Sequence, residues 1–303
     1  SFQPEWVTPI AKDYRGYTLH EIPPNGQGIA ALIALGILGN FDVANLPVDG
    51  IDSQHLQIEA MKLAFADVYR FVAEPSSMEV TVEQMLDPAY LASRAKLIDM
   101  KRAQDFKAGN PVKGGTIYLS AADENGMMVS FIQSNYMGFG SGCVEPTYGI
   151  SMQNRGHAFS TAKDGLNPAN LVAPGKRPFH TIIPAFLTRD GQPVMSYGVM
   201  GANMQPQGHM QTLVRMLDYG QNPQAACDAP RWRFNAGLNI NVEAAMNPAT
   251  VQGLQGLGHE LDIINDSYQD FGAGQFIWRM GDPAVQGYQA ASDPRRDGQA
   301  VGF

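Results

Sequence analysis

Residues 114–160 read GGTIYLSAADENGMMVSFIQSNYMGFGSGCVEPTYGISMQNRGHAFS, and the other segments take their meaning from this stretch. Thr116–Ala122 and Met127–Ser134 read as two short strands. Asp123-Glu124-Asn125-Gly126 joins them, with Asn-Gly supplying the positive-φ residues that a hairpin needs. The glycine-dense turn Gly138-Phe139-Gly140-Ser141-Gly142 follows, a composition that usually lets backbone pass close to something else.

Thr116 is the position with chemistry in it. It follows Gly114-Gly115 and opens a strand. A cut between Gly115 and Thr116 would make it a chain N-terminus, placing nucleophilic hydroxyl and basic amine on one residue, the threonine form of an activated hydroxyl. Glycine on the acyl side lets the scissile peptide distort. Taken locally, the plainer explanation is that a β-branched residue starts a strand because it favours strands, and Gly-Gly-Thr by itself is a weak motif.

The run through Thr116, Asp123, Gly126, Phe139, Gly140, Gly142, Gly149, Asn154 and Phe159-Ser160 resembles the start of the small subunit of gamma-glutamyltranspeptidases, which are N-terminal-nucleophile hydrolases. Lys176-Arg177-Pro178, Pro184, Gly198, Gly201, Asp218-Tyr219-Gly220, Ala229-Pro230-Arg231 and Ala291-Ser292-Asp293-Pro294-Arg295 keep the family's order. Upstream, Tyr17, Pro23-Pro24 and Phe65-Ala66-Asp67 resemble the last part of the large subunit. The resemblance implies an α+β fold of four layers, helix-sheet-sheet-helix. It also implies a division into residues 1–115, the end of the large subunit, and 116–303, the small subunit beginning at the nucleophile. The chain opens without methionine, so the comparison places it in the middle of a precursor, and a signal peptide would lie outside it.

Composition narrows the classes. With 303 residues and 44% hydrophobic content the chain can bury one large core or two domains. Only 17% of residues are charged and the net charge is −8, which argues against nucleic acid as a partner. No run of eighteen apolar residues exists, so no membrane span is expected. Cys143 and Cys227 are too few for a disulfide framework and lack metal-ligand spacing. They suit a reducing, cytoplasmic setting, with a single disulfide left open. No cofactor or metal is called for, and a homo-oligomer is left open.

Along the chain, residues 1–25 read as irregular apart from a strand at Tyr17–His20, and Gln27–Leu38 as a buried helix apolar all round. The Gly26-Gln27-Gly28 entry could offer amides to an anion, although a simple turn explains it better. Asp52-Ser53 is expected to cap an amphipathic helix to Phe71, with His55 and Arg70 on the surface. A helix at Pro88–Asp99 and a charged segment at 100–113 precede the hairpin. After it come a loop from Leu166 to Gly175 and a second hairpin, Thr181–Leu187 with Pro193–Gly198. Helices at Gln205–Tyr219, Pro223–Ala229 and Pro248–Leu257 and strands at Asn239–Val242, Leu261–Ile263, Gln275–Arg279 and Gly287–Ala291 complete the pattern. Without regular βαβ units, this pattern points to sheets covered by helices. Met200, Met204, Met210 and Met216 read as core fillers, His209 as a lone helical histidine, and Arg295-Arg296 as a local ion-pair cluster with Asp293 and Asp297.

The resemblance assigns roles around Thr116. Ser134 matches a family threonine whose hydroxyl assists the nucleophile. Gly201-Ala202 matches a glycine pair whose N–H groups receive the oxyanion, alanine serving equally if its backbone angles are ordinary. The substrate positions depart from the transpeptidases. Where those hold the donor's ammonium with an acidic or amide residue and an aspartate, this chain has Arg155 and Ala158, and a guanidinium would repel an ammonium. Arginine instead suits a carboxylate, held through two parallel N–H bonds. The paired serines of the family become His180-Thr181 and an asparagine becomes Tyr136, so the expected pocket is bulkier and more cationic.

Within the family the chain looks most similar to the oxamate amidohydrolase branch, which implies hydrolysis of a short acid amide, oxamate to oxalate and ammonia, in purine catabolism. The rivals are a gamma-glutamyl transferase or glutathione hydrolase, a cephalosporin-acylase-like amidase, and an uncut relative that only binds small acids. The partners implied are a small acid amide and the two subunits of one precursor.

Overall fold

The computed structural model describes residues 3–106, 115–161, 165 and 167–302; Lys107, Lys113, Gly114 and Leu166 lie outside the described residues. The strands in chain order are β1 (Ile10–Tyr14), β2 (Tyr17–Glu21), β3 (Gly115–Ala122), β4 (Met128–Tyr136), β5 (Val144–Glu145), β6 (Ile150–Ser151), β7 (Ala185–Arg189), β8 (Gln192–Met200), β9 (Trp232–Ala236), β10 (Asn239–Glu243), β11 (Glu260–Ile264), β12 (Ala273–Arg279) and β13 (Tyr288–Ser292). The helices that matter here are α1 (Ile29–Leu38), α2 (Ile51–Phe71), α3 (Val82–Met85), α4 (Pro88–Ala95), α5 (Met204–Leu213), α6 (Pro223–Asp228) and α7 (Pro248–Gly256).

Apolar content all round dictates where α1 must go. Nine of its ten residues are buried, wedged among α2, α4, α5 and the first two strands, because a helix without a polar face has no side to give to water. Beneath it runs a six-stranded sheet in the order β1-β2-β7-β8-β12-β13, every neighbouring pair antiparallel. The β3–β4 hairpin packs on the opposite face, against β8 and β12. Its inward side carries Tyr118, whose hydroxyl hydrogen-bonds with those of Ser120 and Ser130, and Ser120, which reaches Ser196 of β8. Its outward side presents Ile117, Leu119, Val129 and Phe131 exposed. The described layers are thus helix, sheet and sheet; among the described residues no helix covers the hairpin's outer face.

Several boundaries and environments differ from the sequence expectation for stated reasons. In the hairpin turn only Gly126 takes positive φ, while the Asp123 carboxylate accepts from the N–H groups of Asn125 and Met127 and closes the turn itself. Gly50, not Asp52-Ser53, sits at the N-cap of α2; Ser53 is buried and bonded to the Tyr219 hydroxyl. His55 is buried rather than on the surface, because it lies on the stripe of α2 that faces His259. Arg70 does lie near the surface, paired with Glu79.

The helix at Pro88 ends at Ala95, four residues early, and the long helix after Met204 becomes a π-turn from Val214 to Asp218. β10 and β11 run parallel across α7, a βαβ unit the pattern did not suggest. β1 and β9 escaped notice, β1 because Lys12 and Asp13 break its apolar alternation. Arg295 belongs to a buried network with Glu243, Asp293 and Arg231 rather than a surface cluster, while Arg296 stacks on the Tyr268 ring at 3.6 Å. The two cysteines are free, Cys143 exposed and Cys227 buried. No described helix is long and apolar enough to cross a membrane.

Candidate active site

Thr116 lies on β3 at an irregularity of the ladder: Gly115 pairs with Tyr136 and Ile117 with Gln133, so one residue of β3 faces two of β4, Ser134 and Asn135. Such a bulge re-aims a side chain at the point where regular pairing ends. Thr116 is 7% exposed and, with Ser134 and Asn135, lines a cleft of about 980 Å³. Phe139, Met200, Tyr268, Gln275 and Arg296 form other parts of its wall. The Ser134 hydroxyl oxygen accepts from the Tyr136 N–H at 2.9 Å, which holds Tyr136 in a left-handed conformation at φ 81°.

Behind Ser134 sits a guanidinium. Arg155 is 7% exposed, on a short helical turn from Arg155 to Ala158. Its Nη2 donates to the Ser134 carbonyl at 3.0 Å and its Nη1 to the Thr181 hydroxyl at 3.4 Å, with the Tyr136 ring 5.6 Å away. Among the described residues no carboxylate lies within ion-pair distance of it. Burial lowers its pKa, yet a guanidinium stays charged. His180 is drawn into the same group, but burial and then the charge of Arg155 push its pKa down to about 3. It is neutral near pH 7, so the positive charge of the group comes from Arg155 and His180 adds bulk.

The Gly201-Ala202 turn follows β8, and Met200, its immediate neighbour, lines the cleft with Thr116. Both residues have positive φ, 122° and 52°. The condition of ordinary angles for Ala202 is therefore not met; alanine sits in the left-handed region, at a cost of about 1–2 kcal/mol. Close approach explains why residue 201 is glycine: a Cβ there would meet the Gly272 Cα at 3.0 Å. Both carbonyls are engaged, Gly201 O accepting from Met204 N at 2.9 Å and Ala202 O from Gln205 N at 3.2 Å. Among the described residues neither N–H of the pair has a backbone acceptor outside the sheet ladders. Backbone N–H groups of this kind, if aimed at a reacting carbonyl, are what an acyl oxyanion requires.

Set beside known proteins, the whole chain, residues 1–303, matches the family described as Gamma-glutamyltranspeptidase. The chain belongs to that family. It is 35% identical over 304 residues to a glutathione hydrolase-like YwrD proenzyme of Bacillus subtilis, covering 99% of this chain and 56% of the relative. It is 34% identical to an oxamate amidohydrolase proenzyme of Klebsiella pneumoniae, covering 97% and 55%. Among solved structures, a cephalosporin acylase from Bacillus halodurans superposes with a TM-score of 0.91 at 50% identity, covering all of this chain and 54% of that one. The gamma-glutamyltranspeptidase fold, α+β of the N-terminal-nucleophile type, is thereby shown, and the chain spans about half the length of the relatives it matches.

Placed in the transpeptidase fold, the predicted residues fall into two adjoining groups. Thr116 and Ser134 share the cleft with Met200, beside Gly201. Arg155, Tyr136, His180 and Thr181 gather behind Ser134, outside the cleft's lining. The link between Thr181 and Ala202 is Gln27, the residue at which the sequence pattern starts the apolar helix. The N–H of Gln27 donates to His180 O, and Gly28 abuts the Glu21 side chain, so this entry makes no anion site. The signal that could have found Gln27 is a long polar side chain standing between two glycines directly before a wholly apolar helix.

Elsewhere, His55, Glu59 and His259 bring ligand atoms within 4.8 Å of one another. Lys62 occupies the same group, donating to Glu59 Oε1 at 2.7 Å and contacting His259 Nδ1 at 3.4 Å; His259 Nε2 meets His55 Nδ1 at 2.8 Å, and His55 Nε2 meets Asp99 O at 3.0 Å. That hydrogen-bond chain is complete with the lysine as its cation. His209 is buried too, its Nε2 accepting from Val199 N and its Nδ1 donating to Glu21.

Proposed function

We propose that this chain carries the nucleophile of an amidohydrolase that cleaves amides of short acids bearing a free carboxylate, oxamate first among them. One observation carries the reading: a buried guanidinium, Arg155, with no described carboxylate to neutralise it. A charge held out of water without a partner is costly, and an anionic ligand is the economical partner for it. Two of its five N–H groups are engaged by Ser134 and Thr181, leaving three for a carboxylate.

The chemistry follows from position. Cleavage between Gly115 and Thr116 divides the chain into 1–115 and 116–303 and frees the α-amine of Thr116. The amine takes the Oγ proton as Oγ attacks the amide carbon, and the Gly201 and Ala202 N–H groups receive the oxyanion. The C–N bond breaks, the departing nitrogen takes the proton from the α-ammonium, and an ester to Thr116 remains. Water, deprotonated by the same amine, then hydrolyses that ester. The Ser134 hydroxyl lies beside Thr116 to support these transfers, while Tyr136, His180 and Thr181 shape the acid pocket around Arg155.

A second reading, hydrolysis of amides of larger acyl groups, is favoured by the cleft of about 980 Å³, far roomier than a two-carbon acid needs, and by the 50% identity to the cephalosporin acylase. The test is a mass spectrum together with amine release from oxamate, gamma-glutamyl p-nitroanilide and a longer dicarboxylic monoamide, with Thr116→Ala as control. A product beginning at Thr116 and preference for oxamate support the first reading; preference for the long monoamide supports the second. An intact chain without turnover sinks both.

A further inference from the structure

Gln27 is wholly buried and lies between the two halves of the site. Its Nε2 donates to Thr181 O at 2.7 Å and to Ala202 O at 2.8 Å, and its Oε1 accepts from Asn203 Nδ2 at 3.3 Å. Its backbone N–H donates to His180 O at 3.0 Å. One carboxamide thereby holds Thr181, the hydroxyl partner of Arg155, and Ala202 of the turn beside Thr116, 175 positions along the chain from Gln27.

We propose that Gln27 is a positioning residue that keeps the Gly201-Ala202 turn in its left-handed form and ties it to the loop that reads the substrate's carboxylate. The inference rests on the amidohydrolase reading above. Its physical basis is the strain at Ala202. An alanine at φ 52° is held there only if its surroundings over-determine it. The Gln205 N–H supplies one anchor on Ala202 O and Gln27 the other. Two donors on that carbonyl restrain the backbone torsions of Ala202, and with them the course of the turn that carries the Gly201 and Ala202 N–H groups. Thr181 connects the same carboxamide to Arg155 through its hydroxyl, so an anion drawn to Arg155 and an oxyanion forming at the turn bear on one hydrogen-bonded unit.

Glutamine is the side chain that fits, since it donates twice and accepts once at this site. Gln27→Glu keeps the shape and replaces the donor by an oxygen facing two carbonyls. In the processed protein at pH 7, Gln27→Glu is expected to lower kcat about 100-fold, the scale of a lost oxyanion donor, with KM changed by less than about 3-fold. Activity should recover as pH falls, because a protonated carboxyl regains one donor; a general packing defect would lower the active fraction alike at every pH. Gln27→Met, similar in volume and without a donor, should lose the same activity with no recovery in acid.

A crystal structure of Gln27→Glu gives a readout independent of turnover: residue 202 should leave the left-handed region. An active parent with Gln27→Glu at parental kcat overturns this inference alone, and so does an unchanged φ at Ala202 whether or not the parent turns over. A parent without turnover on any amide instead counts against the amidohydrolase reading.

Discussion

Arg155 Nη2 donates to the Ser134 carbonyl at 3.0 Å, tying a buried guanidinium to the strand that lies beside Thr116. On the amidohydrolase reading proposed above, selection of an acid and attack on its amide would fall on the two sides of one residue. The arrangement needs no ammonium counter-ion, in keeping with the absence of an aspartate at Ala158.

Replacing that guanidinium should therefore change preference more than capacity. Arg155→Met is expected to cut kcat/KM for a carboxylate-bearing amide about 100-fold, in line with about 3 kcal/mol for a charge-assisted bidentate contact. A neutral amide of equal length should lose less than about 3-fold. Arg155→Lys, which keeps charge and loses the planar fork, should fall between. Competition between the two amides measures this directly; equal losses for both would show that Arg155 reads no carboxylate.

The turn after β8 makes an opposed pair of predictions. Gly201→Ala puts a Cβ 3.0 Å from the Gly272 Cα at φ 122° and should destabilise by more than about 2 kcal/mol. Ala202→Gly removes a left-handed alanine and should leave stability unchanged or raise it by up to about 1 kcal/mol, the strain released being partly offset by glycine's extra freedom when unfolded. Urea unfolding of both variants checks the pair, and an Ala202→Gly protein less stable by about 1 kcal/mol or more contradicts the strain.

Local pattern carries part of this arrangement, and contacts between distant residues carry the rest. β3, β4 and α1 were readable because local patterns set them: period-two strands about an Asn-Gly turn, and a run with no polar face. Cap and burial at α2 were not, since His55 owes its burial to His259, 204 positions away, and Ser53 owes its to Tyr219. At the site, the identities at positions 116, 134, 155 and 201 pointed to chemistry, whereas the neutral state of His180 and the role of Gln27 depend on contacts made only after folding. The φ of Ala202 was out of reach for the same reason, as alanine rarely marks a left-handed turn.

His180 gives a pH-dependent signature. Its folded pKa of about 3 lies below the ordinary histidine value of 6.5, so between those values the unfolded chain binds the proton and the folded one does not. The stability tied to its neutral form is present above pH 6.5 and is lost as pH falls toward 3, at up to about 1.4 kcal/mol per pH unit. His180→Asn, which cannot titrate, should lack that contribution. The stability difference between parent and variant, measured in urea at pH 7 and pH 4.5, should shift toward the variant in acid by more than about 2 kcal/mol. A difference independent of pH would mean that His180 takes up its proton in the folded protein as readily as in the unfolded one.

A buried ion-pair network joins Arg231, Glu243, Asp293 and Arg295. Glu243 accepts from Arg295 Nε at 2.6 Å and Nη2 at 2.5 Å and from the Arg231 N–H at 2.6 Å; Asp293 meets Arg231 at 2.8 Å and Arg295 at 3.1 Å. Two buried guanidinium groups thus face two carboxylates. Arg231 also donates to Phe271 O at 3.1 Å, next to Gly272, which packs against the Met200 carbonyl and Gly201. Glu243→Ala leaves two cations to one anion out of water and should cost about 3–5 kcal/mol, because an uncompensated buried charge is worse than an exposed pair is good. Glu243→Gln, which keeps acceptor and donor groups, should cost less. The double variant Glu243→Ala with Arg295→Met removes both charges and should recover at least about 1 kcal/mol relative to the sum of the single losses. Urea unfolding of these three variants and of Arg295→Met alone measures the cycle. Additive losses would mean that the two side chains do not neutralise each other.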